Sequence, residues 1–196
     1  MTSTPAPLSP VDPARLTEVL DGRWAHVRRA AREQLGDATY APVYGESMTE
    51  ARERVTRISK KLADSGRVGL GFPKQYGGED DSGGSVTSIE MLAFGDLSLM
   101  VKAGVQWGLF GGAVENLGTE RHHEQYVRRI IDCDLLGCCA MTETGHGSDV
   151  QSLETTATYD PATEEFVIDS PTPSSRKDYI GGAAETVQVF AAGDAL

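Results

Sequence analysis

The spacing of apolar residues changes once along the chain, and this change limits the folds that the sequence can adopt. Up to about residue 132, apolar residues recur at the spacing of helices that bury one face. Beyond residue 135 they alternate with polar residues, which is typical of β-strands. The sequence therefore predicts an α+β fold, in which an N-terminal helical bundle precedes the start of a truncated antiparallel β-barrel-like domain.

Three segments are expected along the chain. Residues 1–12, rich in proline, form a disordered tail; residues 13–134 form the helical domain; residues 135–196 form an incomplete middle β domain. The predicted strands cover 135–142, 155–160, 165–170 and 186–192. So few strands with open edges cannot close a barrel or a sandwich. We therefore expect the chain to be an N-terminal fragment of a longer protein.

Local signals mark the ends of the first two helices. Asp12 and Pro13 begin a helix that is expected to reach residue 35. Its predicted buried face comprises Leu16, Leu20, Trp24, Val27 and Ala31. Ser47 and Glu50 form a capping box for the second helix. Ala51, Val55, Ile58 and Leu62 form the apolar face of that helix, which ends at Gly66.

The remaining helices follow a glycine-dense stretch, residues 67–84, which is expected to be a packed loop. Ser85 is expected to cap the next helix. Its predicted core-facing residues are Val86, Ile89, Leu92, Ala93 and Leu97. Residues 99–117 are apolar on nearly all sides, as in a helix buried inside a bundle. Thr119 then caps a last helix that directs Tyr126, Val127, Ile130 and Ile131 inward.

Composition excludes several classes of function. The net charge of −11 disfavours nucleic acid as a partner, because an acidic surface repels phosphate backbones. No stretch approaches the roughly 20 uninterrupted apolar residues of a membrane span. The N-terminus lacks the features of a signal peptide. Cys133, Cys138 and Cys139 are expected to be unpaired, as in a reducing, cytosolic compartment.

A polar, glycine-containing loop, MTETGHGSD, follows the first predicted strand. Its backbone N–H groups and the hydroxyls of Thr142, Thr144 and Ser148 would suit a phosphate or the polar edge of a flat heterocycle. The same residues also suit a tight turn capped by Ser148 and Asp149. Neither the P-loop motif nor the Rossmann glycine motif occurs here.

The stretches MTETGHGSDV and GFPKQYGG resemble motifs of the acyl-CoA dehydrogenase and acyl-CoA oxidase superfamily. The first is similar to the flavin loop of that superfamily, and the second to a turn in its helical domain. Residues 145–182 resemble the oxidase branch in particular, through G-H-G-S, L-E-T-T-A-T-Y-D-P and T-P-x-S-x-K. The resemblance extends over about residues 10–192.

The resemblance implies FAD as cofactor and fatty acyl-CoA as substrate. It implies that Thr142 and Gly181 contact the flavin and that Ser148 contacts the substrate or the pyrophosphate. Asp178 stands where the family has a bulky residue, before an aromatic residue that is Tyr179 here and more often tryptophan. A carboxylate beside a flavin disfavours its reduced anion unless Asp178 turns to solvent.

The family reaction implied by the resemblance converts acyl-CoA to trans-2-enoyl-CoA. A glutamate removes the α-proton, FAD takes the β-hydride, and in oxidases O2 then takes the electrons and yields hydrogen peroxide. The resemblance places that glutamate in a C-terminal domain outside this sequence, so no residue here is assigned as catalytic. This chain alone is expected to be inactive and the full-length protein to be a homodimer. The location would be cytoplasmic, or peroxisomal in a eukaryote.

Two alternatives remain open: an acyl-CoA dehydrogenase that uses an electron-carrier protein, and a truncated binding module without catalysis. Other polar clusters have structural interpretations. His122 and His123 diverge around a helix and are not expected to bind a metal. His146 either fixes its turn or lies beside the flavin. The arginines at 28, 29, 32, 52, 54 and 57 are expected on solvated helix faces, and Trp107 and Phe110 in the core.

Overall fold

A computed structural model describes residues 11–183 and 185–192. The first ten residues of the expected tail lie outside the described residues. Six helices come first: α1 (Pro13–Asp21), α2 (Ala25–Leu35), α3 (Met48–Asp64), α4 (Ser82–Leu92), α5 (Leu97–Leu117) and α6, which runs from Glu120 to Ile131. Four strands follow: β1 (Gly137–Ala140), β2 (Thr156–Asp160), β3 (Glu165–Asp169) and β4 (Val189–Ala192). The helical half followed by short strands confirms the predicted fold class.

The four strands pair two by two. β2 and β3 form the predicted antiparallel hairpin, with Thr156 opposite Asp169. β1 and β4 pair in parallel, with Gly137 opposite Val189 and Ala140 opposite Ala192. The expected antiparallel pairing therefore holds for the hairpin, whereas the strand next to the helical half has a parallel neighbour from much later in the chain.

The predicted first helix is divided into α1 and α2. Gly22 has a positive φ of +57°, which favours glycine, and a 3₁₀ turn, Gly22–Trp24, separates the two helices. The break changes the direction in which side chains of α1 point relative to those of α2. Val27 is buried as predicted, but Leu16 and Leu20 are 47% and 71% exposed, so their expected burial is wrong.

The helix α4 begins earlier than its sequence suggests. Asp81, not Ser85, is the N-cap, and its carboxylate accepts the N–H of Gly84 at 2.9 Å and the indole N–H of Trp24 at 3.0 Å. A Cβ on Gly83 would lie 1.9 Å from the Trp24 ring, so glycine here permits a close helix contact. The buried face consequently differs from the expected one, and Val86 is 68% exposed.

The core lies between α3, α5 and α6. Its fully buried side chains include Leu62, Leu99, Phe110, Val127 and Ile130, and Trp107 is buried with them as predicted. The capping box of Ser47 and Glu50 is present at the start of α3. These contacts confirm the apolar patterns predicted for α3 and α6.

The helix α5 joins the helical half to the strands. Its middle turn, Gly104–Phe110, is π-helical and directs the buried Gln106 toward β1. The Gln106 amide donates to the carbonyl of Leu135 at 2.8 Å and accepts from the N–H of Gly137 at 3.0 Å. By length and composition α5 is the one helix of the described residues that could cross a membrane. Since its Leu99 and Phe110 side lies in the core, this is no evidence of a span.

Candidate functional site

The loop after β1 is held by a second segment of the chain, residues 174–178. The N–H groups of Thr144 and Gly145 donate to the carbonyls of Arg176 and Ser174 at 3.0 and 2.8 Å. The N–H of Asp178 donates in return to the Thr142 carbonyl at 3.1 Å. The two segments therefore lie side by side.

Glu143 fixes the inner side of this loop. Its side chain is fully buried and accepts the N–H of Glu154 at 2.9 Å, the N–H and hydroxyl of Thr155 at 2.9 and 2.6 Å, and the Lys177 ammonium at 3.1 Å. Burial raises the pKa of Glu143, but these hydrogen bonds outweigh it and lower the pKa to about 2. Glu143 is therefore ionised and holds the loop in place.

His146 fixes the outer side of the loop. Its Nε2 lies 2.7 Å from a Glu154 carboxylate oxygen, which also accepts the Ser174 hydroxyl at 2.7 Å. The Thr172 hydroxyl donates to the other Glu154 oxygen at 2.5 Å. Hydrogen bonds from Thr172, Ser174 and His146 lower the pKa of Glu154 to about 2. Of the two interpretations of His146, these contacts favour the one in which it fixes the turn.

The three predicted site residues occupy different positions around this loop. Thr142 is half-buried at its start, and its main chain contacts Asp178. Ser148 is exposed further along, and no hydrogen bond joins it to Thr142 or Gly181 among the described residues. Within the described part of the chain, neither the Thr142 hydroxyl nor the Ser148 hydroxyl has a hydrogen-bond partner. Gly181 lies three residues beyond Asp178, and no described atom lies within 4 Å of a Cβ placed on it.

The main-chain donors of the loop are less available than expected. The N–H groups of Thr144, Gly145, His146 and Gly147 all donate to carbonyls of this chain. These four N–H groups are therefore not free to bind a ligand.

Asp178 is engaged by its neighbours. Its carboxylate pairs with Arg176 at 2.9 Å and accepts the Thr144 hydroxyl, and these contacts lower its pKa. Tyr179 beside it is 90% exposed and has a left-handed backbone, with φ of +61°. The Asp178 charge is thus partly neutralised by Arg176.

A cavity of about 530 Å³ lies between α3, α5 and the segment that contains Gly181. Its walls are mainly apolar, with Val55 from α3, Val101 and Val105 from α5, and Ile180. The other lining residues are Met48, Ala51, Arg52, Thr56, Leu97, Ser98, Lys102, Gly181, Gly182, Glu185 and Thr186. Of the three predicted site residues, only Gly181 lines this cavity.

The charged groups of the cavity are Arg52, Glu185 and Lys102. Arg52 and Glu185 form an ion pair of 3.1 Å at the edge. Lys102 donates to the Thr186 hydroxyl at 3.3 Å. Sequence reasoning missed Lys102, although it is the one charged residue between Leu97 and Val114, and a lone charge on an apolar helix is a signal of function.

Several other expectations about charged residues need correction. Arg54 is not on a solvated face: its side chain is 11% exposed and contacts Glu46 at 2.8 Å and Asp96 at 2.7 Å. Arg28 is also half-buried and pairs with Glu90. Arg32 is exposed but binds the buried Asp21 at 2.5 Å. Sequence alone does not show which carboxylates the fold brings beside these helices.

No metal centre is evident in residues 11–183 and 185–192. No group of three or more histidine, cysteine or acidic side chains could hold an ion there. His122 Nδ1 instead lies 2.9 Å from the Thr119 hydroxyl at the start of α6. The three cysteines are free, and burial raises the pKa of Cys133 to about 11, so it is an unreactive thiol.

Comparison with known proteins gives a consistent family. Residues 25–134 match the family described as acyl-CoA dehydrogenase, N-terminal domain. The chain is 40% identical over 153 residues to "Acyl-coenzyme A oxidase 3, peroxisomal" of Arabidopsis thaliana, covering 78% of this chain and 22% of that protein. Over 98 residues it is 42% identical to "Peroxisomal acyl-coenzyme A oxidase 3" of Homo sapiens, covering 50% of this chain and 14% of that protein.

Solved structures show the same fold. The crystal structure of acyl-CoA oxidase3 from Yarrowia lipolytica superposes with a TM-score of 0.72 at 30% identity, covering 90% of this chain and 25% of that one. Butyryl-CoA dehydrogenase from Megasphaera elsdenii has a TM-score of 0.59 at 22% identity, covering 74% of this chain and 38% of that one. This chain therefore spans about a quarter of the oxidase and somewhat more of the dehydrogenase.

Proposed function

The chain belongs to the acyl-CoA dehydrogenase N-terminal domain family. We propose that it is the N-terminal part of an FAD-dependent acyl-CoA oxidase. The substrate would be a fatty acyl-CoA, and the product trans-2-enoyl-CoA. The observation that carries this proposal is the junction of α3, α5 and the 180–186 segment. There an apolar cavity opens beside Gly181, three residues beyond Asp178, whose N–H is bonded to the Thr142 carbonyl.

The residues at this junction suit the edge of a flat heterocycle. The Thr142 hydroxyl has no partner among the described residues and can donate to such a ring. The Cα of Gly181 is bare, and no described atom fills the space that a side chain would take. Bound there, FAD would supply the two-electron redox chemistry. Thr142 and Gly181 would orient the ring, and Ser148 would contact the substrate or the pyrophosphate.

The apolar cavity would hold the acyl chain. Val55, Val101 and Val105 offer walls without polar atoms, and a volume of about 530 Å³ falls within the range of small-molecule sites. These walls would exclude water from the chain and hold it in one position. Burial of an alkyl group there contributes about 0.8 kcal/mol per methylene.

Neither Glu143 of the loop nor Glu185 of the cavity suits the role of base. Glu143 has a pKa of about 2 and all its oxygens are occupied, so it is too acidic and too well bonded to accept a proton from carbon. Glu185 lines the cavity but is paired with Arg52. The base would therefore come from residues other than these.

The experiment that tests the cofactor assignment is an FAD titration followed by flavin fluorescence. Thr142→Val removes one donor, and Gly181→Val fills the open space, so each should weaken FAD binding about three- to tenfold. Thr158→Val, on the exposed strand β2, is the matched control and should bind like the parent. Failure of the parent chain to bind FAD would favour a non-catalytic module instead.

The electron acceptor is tested with the FAD-loaded full-length protein, since this chain alone is expected to be inactive, and a fatty acyl-CoA. An oxidase forms hydrogen peroxide in amounts equal to the enoyl-CoA, whereas a dehydrogenase reduces an artificial dye and forms little peroxide. The named similarity to oxidases favours the first result. The same proposal includes a peroxisomal location in a eukaryote, since similar proteins are named peroxisomal. It also includes a homodimeric assembly of the full-length protein.

A further inference from the structure

Lys102 is a half-buried cation in the wall of the apolar cavity. Its ammonium donates to the Thr186 hydroxyl at 3.3 Å, a long hydrogen bond. No carboxylate of the described residues lies within ion-pair distance of it. The acidic residue that shares the cavity, Glu185, is paired with Arg52 instead. Lys102 therefore presents a charge to the cavity that the described chain does not balance.

A cation in such a position is costly unless an anion meets it. Burial lowers the pKa of Lys102, while the nearby thiols of Cys133 and Cys138 act in the opposite direction. An unpaired charge next to apolar walls loses hydration and gains no partner. The arrangement therefore favours binding of an anionic group that reaches the Lys102 ammonium.

The surroundings of Lys102 select the kind of anion. The groups at this point are one ammonium and one hydroxyl, Thr186, whose own bond to the Gly182 carbonyl is a long 3.4 Å. A carboxylate has two oxygens to accept from this pair. A phosphate group presents three such oxygens and is matched less well by two donors. Val101 and Val105, one turn apart on the same helix, offer apolar walls for an alkyl chain.

We propose that Lys102 and Thr186 bind the carboxylate end of an alkyl chain that lies in this cavity. This inference rests on the proposed function in one respect, namely that the same cavity accepts an acyl chain. Two sources share the chemistry. One is a free fatty acid, and the other is the distal carboxylate of a dicarboxylic acyl thioester, for which Lys102 would determine specificity.

Calorimetric titration of the chain with decanoate and with decanol tests this inference. Decanoate should bind about tenfold more tightly than decanol, the difference expected for one charge-assisted contact. Lys102→Met should abolish that preference, Lys102→Arg should retain it, and Lys74→Met, at an exposed position, should leave it unchanged. A thermal melt of each variant separates loss of binding from loss of folding.

The outcomes separate the two proposals. Equal binding of decanoate and decanol, unchanged by Lys102→Met, overturns the role of Lys102 and leaves an alkyl site as proposed. Absence of binding for both compounds overturns the alkyl site itself, and with it this inference. Comparison of decanedioyl-CoA with decanoyl-CoA distinguishes the sources. A preference for the former that depends on Lys102 assigns the distal carboxylate, and its absence alongside tight decanoate binding assigns the free acid.

Discussion

The Glu143 carboxylate and the Lys177 ammonium lie 3.1 Å apart across an antiparallel bridge that joins the loop after β1 to the segment before Gly181. Since Glu143 is fully buried, this ion pair sits in the layer that connects the two segments. The positions of Thr142 and of the 178–181 segment relative to each other therefore depend on Glu143.

Replacement of Glu143 by glutamine should destabilise the protein by about 1–3 kcal/mol. The amide places a donor where the N–H groups of Glu154 and Thr155 require an acceptor, and it removes the partner of Lys177. Urea unfolding measures the change. Glu165→Gln, at an exposed position of β3, is the control and should change stability by less than about 0.5 kcal/mol. Equal effects of the two substitutions would contradict this role of Glu143.

Stability should fall when the pH is lowered from about 4.5 toward 2. The pKa of Glu143 is about 2 in the folded state, against 4.5 as the ordinary value, so the unfolded chain binds more protons in this interval. The stabilisation is complete above the higher value and is lost toward the lower one. Unfolding free energies measured across this range should show a smaller slope for Glu143→Gln than for the parent. An identical slope would show that other carboxylates govern acid unfolding.

Asp81→Ala should cost about 1–2 kcal/mol, because Asp81 caps α4 and accepts the indole N–H of Trp24. Circular dichroism during thermal unfolding measures the effect. Trp24 fluorescence should also change in the folded state, since the indole loses its partner. Asp169→Ala on the exposed strand β3 should alter neither signal.

Gly83→Ala should destabilise by about 1–3 kcal/mol, because the new methyl group would overlap the Trp24 ring at 1.9 Å. Gly104→Ala is the matched substitution on another helix, where no atom lies within 4 Å of the added carbon. This second change should leave stability equal or raise it by up to about 1 kcal/mol. Chemical denaturation of both variants tests the pair, and destabilisation by Gly104→Ala alone would be the contrary result.

Sequence patterns predicted the features that depend on neighbouring residues. The capping box of Ser47 and Glu50 and the β2–β3 hairpin need only a few adjacent positions, and both are present. The start of α4 was missed because its glycines are typical of a loop. In the structure they are helical, and the absence of a side chain on Gly83 lets the Trp24 ring pack against the helix. Local propensity cannot include that tertiary contact.

Sequence patterns did not predict the contacts between segments that lie far apart in the chain. The parallel pairing of β1 with β4 joins segments about fifty residues apart, and nothing in their composition specifies the partner. The cavity needs residues from α3, α5 and the 180–186 segment together, so Lys102 was not recognised as part of a site. The roles of Thr142, Ser148 and Gly181 came from family resemblance and remain predictions.

The segment that carries Ile180, Gly181 and Thr186 is fastened at both ends. The N–H of Asp178 is bonded to the Thr142 carbonyl on one side, and the N–H groups of Gln188 and Val189 are bonded to the Leu136 carbonyl on the other, where β4 begins. These hydrogen bonds order the two ends of the segment, so much of its conformational entropy is lost on folding rather than on binding. A ligand that binds against this segment would therefore lose less free energy to ordering of the backbone than one that binds against a mobile loop.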